Sequence, residues 1–148
     1  FMIQFKAIDN KFEWQWILLR AKPLTIEDSE GIVAYDDKTN KILGAVVMDS
    51  WTKAGPQCHI AIDNPMCIKA GLLHRAFYYI HIFKNRPYAF GLVPSNNTKA
   101  LKFDQKIGFE EVARVPDGYD KGIDYVILRI NRENNRWIAK DLKNKEAA

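Results

Sequence analysis

The chain of 148 residues is long enough to bury about two thirds of its unfolded surface in one core, and its length implies no second domain. Hydrophobic residues make up 47% and charged residues 27%, an ordinary globular composition without a run of about 20 apolar residues or a signal peptide. These features exclude a membrane-spanning protein and predict a soluble, cytoplasmic one, and two cysteines are too few for a disulfide framework.

The positive charge is concentrated at the C-terminal end. Residues 129–148 hold six Lys or Arg against three acids, which is +3 of the total formal charge of +4. We therefore predict a body at 1–130 and a basic helical tail at 131–148. Such a tail can attract nucleic acid, but a solvated terminal helix explains it equally well. The aromatic residues are not interleaved with the basic ones, so a nucleic-acid partner is not expected.

The first half of the chain reads as strands around one helix. A strand at 3–8 precedes a helix near 10–21, and two apolar, β-branched runs are joined by a good hairpin turn at 36–40. A turn at Gly55-Pro56 then leads into a further alternating strand. These three runs are predicted strands at 31–35, 41–51 and 57–63.

The second half begins with an apolar stretch from Asn64-Pro65 to Phe83, which predicts one continuous central helix covered by other elements. A short buried strand, a capped helix and a final pair of strands around a turn at 116–118 follow. These elements are predicted at 88–93, 95–107, 109–115 and 122–130. Their sum is a mixed α/β fold with parallel and antiparallel neighbours in one sheet.

The helix at 95–107 carries the most informative pattern. Ser95 or Asn96 is expected to cap it, and Gly108 supplies the C-terminal cap. Asn97 and Asp104 are seven residues apart, so both lie on one face of the helix, roughly 10 Å apart along its axis. The buried stripe consists of Ala100, Phe103 and Ile107.

From Asn97 to Phe109 the order is Asn-x-x-Ala-Leu-x-Phe-x-x-Lys-x-Gly-Phe. This order resembles the coenzyme A-proximal helix of the GCN5-related N-acetyltransferase (GNAT) superfamily, and the element order over 31–130 is similar to that family as well. The resemblance implies a mixed antiparallel and parallel sheet flanked by helices. It also implies transfer of an acetyl group from acetyl-coenzyme A to a primary amine. The Asn-Pro entry to the central helix, with His59 upstream, is similar to the small phage-encoded members.

The pyrophosphate of coenzyme A binds most readily at a helix N-terminus. The turn at 64–71 offers one, because Asn64 can cap the helix and Pro65 suits its first position. The family usually has Arg or Gln followed by spaced glycines here, and of those only Gly71 is present, so an ordinary capped helix is the alternative interpretation. The cofactor-binding residues that the resemblance implies are Ile60, Ile62, Asn64, Lys69, Ala70, Gly71, Asn97, Ala100 and Phe103.

Catalysis needs a base for the amine and an acid for the leaving thiolate. His59 lies in the strand that commonly supplies a base in the resembling family, although a histidine buried for packing is the alternative. Asp104 stands where the family has a thiolate-protonating tyrosine, and it can act as an acid only if burial raises its pKa by several units. A solvated carboxylate is the alternative for Asp104, and simple helix capping is the alternative for Asn97.

The resemblance places the acceptor pocket at the first helix and the loop before the last strand. Trp14, Trp16 and Tyr119 are the candidate acceptor-binding residues, since aromatic rings can stack on an ammonium group. Asp117 and Asp120 flank Tyr119, and their carboxylates can attract the same group. An aromatic stripe on a first helix is otherwise core. A metal site is not expected, because Cys58 and His59 are adjacent strand residues that point to opposite faces.

Two hypotheses follow from the sequence. The first is an N-acetyltransferase that uses acetyl-coenzyme A and modifies an amine on a small molecule or a protein. The second is a non-catalytic protein of the same fold that binds coenzyme A or a macromolecular partner. The first is favoured because Asn97, the helix terminus at Asn64 and a strand histidine are all present.

Overall fold

The computed structural model describes residues 2–21 and 28–147. Seven strands in these residues form one sheet in the order β1-β2-β3-β4-β5-β7-β6, which confirms the mixed α/β architecture. The first five strands agree with the predicted boundaries to within two residues. The strands are β1 Ile3–Ala7, β2 Glu30–Asp36, β3 Ile42–Asp49, β4 Gln57–Ile62, β5 Tyr88–Pro94, β6 Glu110–Asp120 and β7 Ile123–Asn131.

Helices cover the two faces of the sheet unequally. On one face, here the α1 face, Ile17 of α1 packs with Val33, Ala45 and Val47. On the opposite face, here the α3 face, a larger core contains side chains from α3, from α4 and from the C-terminal segment. The helices are α1 Lys11–Leu18, α2 Met66–Lys69, α3 Leu72–Tyr78, α4 Thr98–Ile107 and α5 Ala139–Ala147.

Strands β4 and β5 separate soon after they meet. Within the described residues theirs is the one parallel pairing in the sheet, and its register contains a single pair, Gln57 with Phe90. The amide of Phe90 donates to the carbonyl of Pro56 at 3.0 Å at this vertex. β4 nevertheless pairs with β3 over its whole length, so it is β5 that leaves. The result is a wedge-shaped gap in the middle of the sheet, here called the wedge.

The central helix is not continuous, so that prediction is wrong. α2 ends at Lys69, Gly71 adopts a φ of +118°, and α3 begins at Leu72. A left-handed backbone of this kind cannot continue a right-handed helix, and glycine adopts it without steric cost. The last turn, Tyr79–Phe83, is π-helical and ends where the amide of Lys84 donates to the carbonyl of Tyr79.

The final hairpin also differs from its prediction. The chain does not reverse at 116–118, because β6 continues to Asp120 and the reversal lies at Lys121-Gly122. Residues 116–119, here the bulge loop, are extra residues between the register pairs Val115–Tyr125 and Asp120–Ile123. Bulges of this kind are frequent at sheet edges, where they interrupt pairing.

The C-terminal segment packs against the end of α4. Trp137 donates its indole N–H to the carbonyl of Ile107 at 2.8 Å, and Arg136 donates to the carbonyl of Lys106 at 2.7 Å. Ile138 is completely buried in the core of the α3 face. No helix in the part of the chain described here is long and apolar enough to cross a membrane.

Candidate active site

The wedge opens into a cleft of about 330 Å³ between β4 and α4. Expected cofactor-binding residues lie on both of its walls. Ile60 and Ile62 come from β4, and Asn97, Ala100 and Phe103 come from α4. The three α4 residues are spaced three apart, so they lie on neighbouring parts of one side of that helix. Ala61, Asp63, Lys99, Asp104 and Arg20 complete the lining.

Asn97, rather than Ser95 or Asn96, caps α4. Its Oδ1 accepts the backbone N–H of Ala100 at 3.2 Å. Ser95 instead accepts the backbone N–H of Asp124 and links the start of α4 to β7. Asn97 therefore combines the capping contact with a place in the cleft, and both interpretations of this residue have a structural basis. Gly108 closes the other end of α4 at a φ of +124°, as expected.

Asp104 is the titratable group at the base of the cleft. Burial raises its pKa to about 7, because a carboxylate loses hydration when it is enclosed by apolar walls. Its Oδ2 lies against β5, only 3.4 Å from where a Cβ on Gly91 would be. The pKa of the Cys58 thiol is also raised, mainly by burial and to a smaller extent by the negative charge of Asp104. Asp104 thus holds a proton close to neutral pH beside the wedge.

His59 is held by a carboxylate that sequence reasoning missed. Its Nε2 lies 2.8 Å from Oδ2 of Asp49, whose side chain is 1% exposed, whereas that of His59 is 19% exposed. His59 pairs with Val47 across the sheet, so both side chains lie on the α1 face. Asp49 follows two residues later on that face. The sequence does show an acid, Asp49, at the end of the apolar run of β3. Only the strand register reveals that His59 is its partner.

The two catalytic candidates lie on opposite faces of the sheet. Side chains alternate along β4, so Ile60 and Ile62 pack with the core of the α3 face, where α4 and Asp104 also lie. His59 lies between them in sequence and points to the α1 face. β4 and β5 are not paired beyond Gln57, so His59 of β4 and Asp104, which lies against Gly91 of β5, flank the same unpaired stretch of the sheet.

Arg20 joins α1 to the open end of β4. Its Nε and Nη2 donate to the two carboxylate oxygens of Asp63, each at 3.0 Å. Its guanidinium also lies 3.9 Å from the ring centre of Trp16. Arg20 and Asp63 are 43 residues apart, so no local sequence pattern predicts that they pair. Bidentate pairing fixes both groups more strongly than a single contact would.

The expected acceptor residues do not form one group. Trp14 and Trp16 are partly buried and pack against the small core beneath α1. Tyr119 lies in the bulge loop, where its ring meets that of Tyr125 edge-on with centroids 5.8 Å apart. Of the three, Tyr119 alone lies beside the exposed sheet of β5 and β7.

The expected phosphate turn lies outside the cleft. Asn64 does accept the backbone N–H of Met66 through its side chain, although Pro65 is the residue that directly precedes α2. Lys69 is exposed at the end of α2 and does not line the cleft. Ala70 and Gly71 border a separate, more open groove of about 560 Å³ beside α3. Ala70 and Gly71 therefore lie at a different groove from the α4 residues.

The described residues contain no group of three or more His, Cys, Asp or Glu side chains placed to hold a metal ion. Cys58 packs with the core of the α3 face, while His59 lies on the α1 face. What the cleft offers chemically is thus a proton-holding carboxyl between apolar side chains of β4 and α4, with the imidazole of His59 on the other face of β4.

Solved structures with the same architecture are acetyltransferases. A GNAT family acetyltransferase from Elizabethkingia anophelis with acetyl-CoA bound superimposes with a TM-score of 0.68 at 17% identity, covering 87% of this chain and 97% of that one. Spermidine N-acetyltransferase from Vibrio cholerae, in complex with CoA and spermine, gives a TM-score of 0.67 at 13% identity, covering 90% and 97%. The chain has the acetyltransferase fold. No protein-family model and no curated protein sequence matches it.

Two positions of this chain depart from the pattern that the resemblance implies. Asp104 stands where the resemblance implies a tyrosine, and the turn at 64–71 has Gly71 alone in place of spaced glycines. The spermidine/spermine N-acetyltransferase of Vibrio cholerae is likewise only 14% identical, with a TM-score of 0.65 over 87% of this chain and 92% of that one. Similarity at this level shows the fold, so the chemistry has to be argued from the cleft itself.

Proposed function

We propose that this protein is an N-acetyltransferase that moves an acetyl group from acetyl-coenzyme A to a primary amine. The observation that carries the proposal is the wedge, with the proton-holding Asp104 at its base on one face and His59 beside it on the other. The acetyltransferases with this fold include structures with acetyl-CoA or CoA bound. An amine acceptor is also what the name of the spermidine N-acetyltransferase neighbours specifies.

The cleft fits the pantetheine arm of coenzyme A. In the described residues β4 has no strand partner on the β5 side beyond Gln57, so its backbone groups there face the wedge. The arm contains two amides, which can pair with such groups as an added strand does. Ile60, Ile62 and Phe103 supply apolar contact for its methylene groups, and Asn97 lies at the mouth.

When bound, acetyl-coenzyme A supplies an activated thioester carbonyl that accepts the amine. The Nε2–H of His59 donates to Asp49, which leaves the lone pair on Nδ1 to take the proton that the attacking nitrogen loses. Asp104 gives its proton to the departing sulfur as the C–S bond breaks and the C–N bond forms. His59 would thus act on the amine and Asp104 on the sulfur, because the two groups flank the same gap from opposite faces of the sheet.

Two measurements test the proposal. Acetyl-coenzyme A at 100 times its dissociation constant stabilises a folded protein by about 2.7 kcal/mol, which for this chain length is a rise in melting temperature of roughly 5–10 °C. We also expect His59→Ala to bind acetyl-coenzyme A like the wild type while its rate of acetyl transfer falls about 10²–10⁴-fold. Melting curves and the release of free thiol report the two quantities separately.

The contrary outcomes are distinct. No rise in melting temperature at millimolar acetyl-coenzyme A would refute the proposed cofactor. A clear rise without thiol release on a broad panel of amines and peptides would favour the non-catalytic protein of the same fold. Unchanged turnover in a well-folded His59→Ala variant would remove His59 from the mechanism.

A further inference from the structure

An apolar surface lies on the α1 face of the second half of the sheet. The register pairs Leu92 of β5 with Ile127 of β7, so their side chains share a face. Phe90 precedes them on the same face of β5, and Tyr125 does so on β7. The bulge loop adds Tyr119, which contacts Tyr125. This surface, here the platform, consists of Phe90, Leu92, Tyr119, Tyr125 and Ile127.

The platform is left out of both cores of the protein. All its residues are partly or fully exposed, and none belongs to either hydrophobic cluster formed by the described residues. Their neighbours on the opposite face, such as Val93 and Leu128, are buried in the core of the α3 face. The small core beneath α1 contains residues of α1, β2 and β3 but none of β5 or β7. An apolar sheet face without a covering helix in the described chain is a surface for a ligand.

The platform continues directly from His59. Phe90 is the β5 partner of Gln57, and His59 is the next residue of β4 on that same face. Strand spacing and rise place the Cα atoms of Phe90 and His59 on the order of 8 Å apart. A molecule lying on the platform can therefore hold its amine at the imidazole, close to the vertex of the wedge.

The rim of the platform is a fixed structure. Gly118 of the bulge loop lies so close to the sheet that an added Cβ would be 2.9 Å from Cβ of Val115 and 3.0 Å from Cβ of Tyr125. Asp117 secures the loop, because its Oδ1 accepts the N–H of Gly122 at 2.7 Å and its own N–H donates to Asp124. The loop thus brings Tyr119 over the sheet as a wall.

Charged groups lie around the platform at its far end and at its rim. At its far end Arg129 faces Glu110 in the register, and the Arg129 guanidinium lies 4.3 Å from the ring centre of Tyr88. In the rim, Asp117 and Asp124 accept backbone hydrogen bonds, and Asp124 also lies 3.7 Å from Arg114. Asp120 accepts the N–H of Lys121. The five platform side chains are themselves aromatic or aliphatic, so they suit an apolar body, while the carboxylates lie at the rim.

We infer that the platform binds the acceptor and that the acceptor is an amine carried on an aromatic or apolar body. The inference rests on the proposed function for the role of His59 and extends it to the substrate class. Ring-to-ring and ring-to-methyl contacts with Tyr125 and Ile127 supply the affinity. The ammonium group that reacts lies at the end of the platform next to β4.

Binding of three amines, read by calorimetry or saturation-transfer NMR with and without coenzyme A, tests this inference. We expect 2-phenylethylamine to bind at least about tenfold more tightly than ethylamine, which has the same amine without the ring, and more tightly than spermidine. Tyr125→Ala and Ile127→Ala should each weaken 2-phenylethylamine by about five- to tenfold and leave ethylamine unchanged. Phe83→Ala is the control, since this 71% exposed ring lies on the other face and its loss should have no effect.

Tighter binding of spermidine than of 2-phenylethylamine would overturn the inference, as would no binding of any of the three amines. Equal weakening by Tyr125→Ala and by the Phe83→Ala control would overturn it as well. Binding is read without turnover, so a protein that binds 2-phenylethylamine on the platform but never acetylates it would contradict the proposed activity alone.

Discussion

Asp104 has a pKa of about 7 because it is buried among apolar groups. The free energy of unfolding must therefore depend on pH through this carboxyl group. The folded state keeps a proton that the unfolded chain releases near 3.8. Stability from this group is therefore fully present below about pH 4 and is lost as the pH rises toward and through about 7.

Asp104→Asn removes that titration, so it should flatten the pH dependence of stability. Relative to the variant, the wild type should lose on the order of 2–4 kcal/mol of unfolding free energy between pH 4 and pH 8. Urea unfolding at several pH values measures the difference. Asp37→Asn, in an exposed turn, is the matched control and should follow the wild type. Parallel curves for the wild type and Asp104→Asn would mean that Asp104 is ionised throughout.

At the scale of single residues, the sequence predicts positions better than partners. Helical spacing alone puts Asn97 and Asp104 on one face, and both do line the cleft. The raised pKa of Asp104 depends on burial by other elements, which no local pattern encodes. The pairing of His59 with Asp49 depends on strand register, and Arg20 reaches Asp63 across 43 residues.

At the scale of elements, the vertex of the wedge depends on the turn before β4. Gly55 has a φ of +148°, and an added Cβ would lie only 1.8 Å from the carbonyl oxygen of Tyr88. Gly71 has a similarly left-handed φ of +118°, yet no atom lies within 4 Å of its Cβ position. A side chain at Gly71 would therefore cost backbone strain alone, whereas a side chain at Gly55 would cost backbone strain and a steric clash.

Gly55→Ala should therefore cost clearly more stability than Gly71→Ala. Strain alone is about 1–2 kcal/mol at either site, and the contact with the Tyr88 carbonyl adds to it only at Gly55. Denaturant unfolding of both variants measures the costs. Equal costs would mean that the vertex shifts freely to admit a side chain, and the wedge would not be fixed at Gln57.

Strand prediction succeeded both for the alternating run of β4 and for the continuous apolar, β-branched runs of β2 and β3, because strands covered on one face or on both faces have these two patterns. The central helix failed because an apolar run does not reveal that Gly71 adopts a positive φ. The last hairpin failed because Pro-Asp-Gly is a strong turn signal, whereas here it forms a bulge within one strand. In both cases the local pattern was compatible with two structures and the tertiary fold selected one.

At the scale of the whole molecule, the C-terminal segment is the part whose composition was least informative. Its basic residues predict a solvated tail, yet Ile138 is completely buried among residues of the main core. The domain boundary predicted at 130 remains a prediction, and a substitution can test whether the segment contributes to one cooperative unit.

Ile138→Ala should lower the free energy of unfolding by about 2–5 kcal/mol, as expected for a large-to-small change in a core. Lys140→Ala, two residues further on and exposed, should change it by less than about 0.5 kcal/mol. Thermal and urea unfolding should each show one transition. A stability equal to that of the wild type in Ile138→Ala would mean that 131–148 folds independently of the body.

The single register pair between β4 and β5 divides the molecule into two pieces that are each continuous in sequence. β1 to β4 span 3–62 and β5 to β7 span 88–131, so no strand of one piece lies within the other. A chain interrupted between them would keep every strand pairing except the one at Gln57 and Phe90. The protein is thus suited to reassembly from two fragments. A molecule bound in the wedge would contact both fragments and stabilise their association.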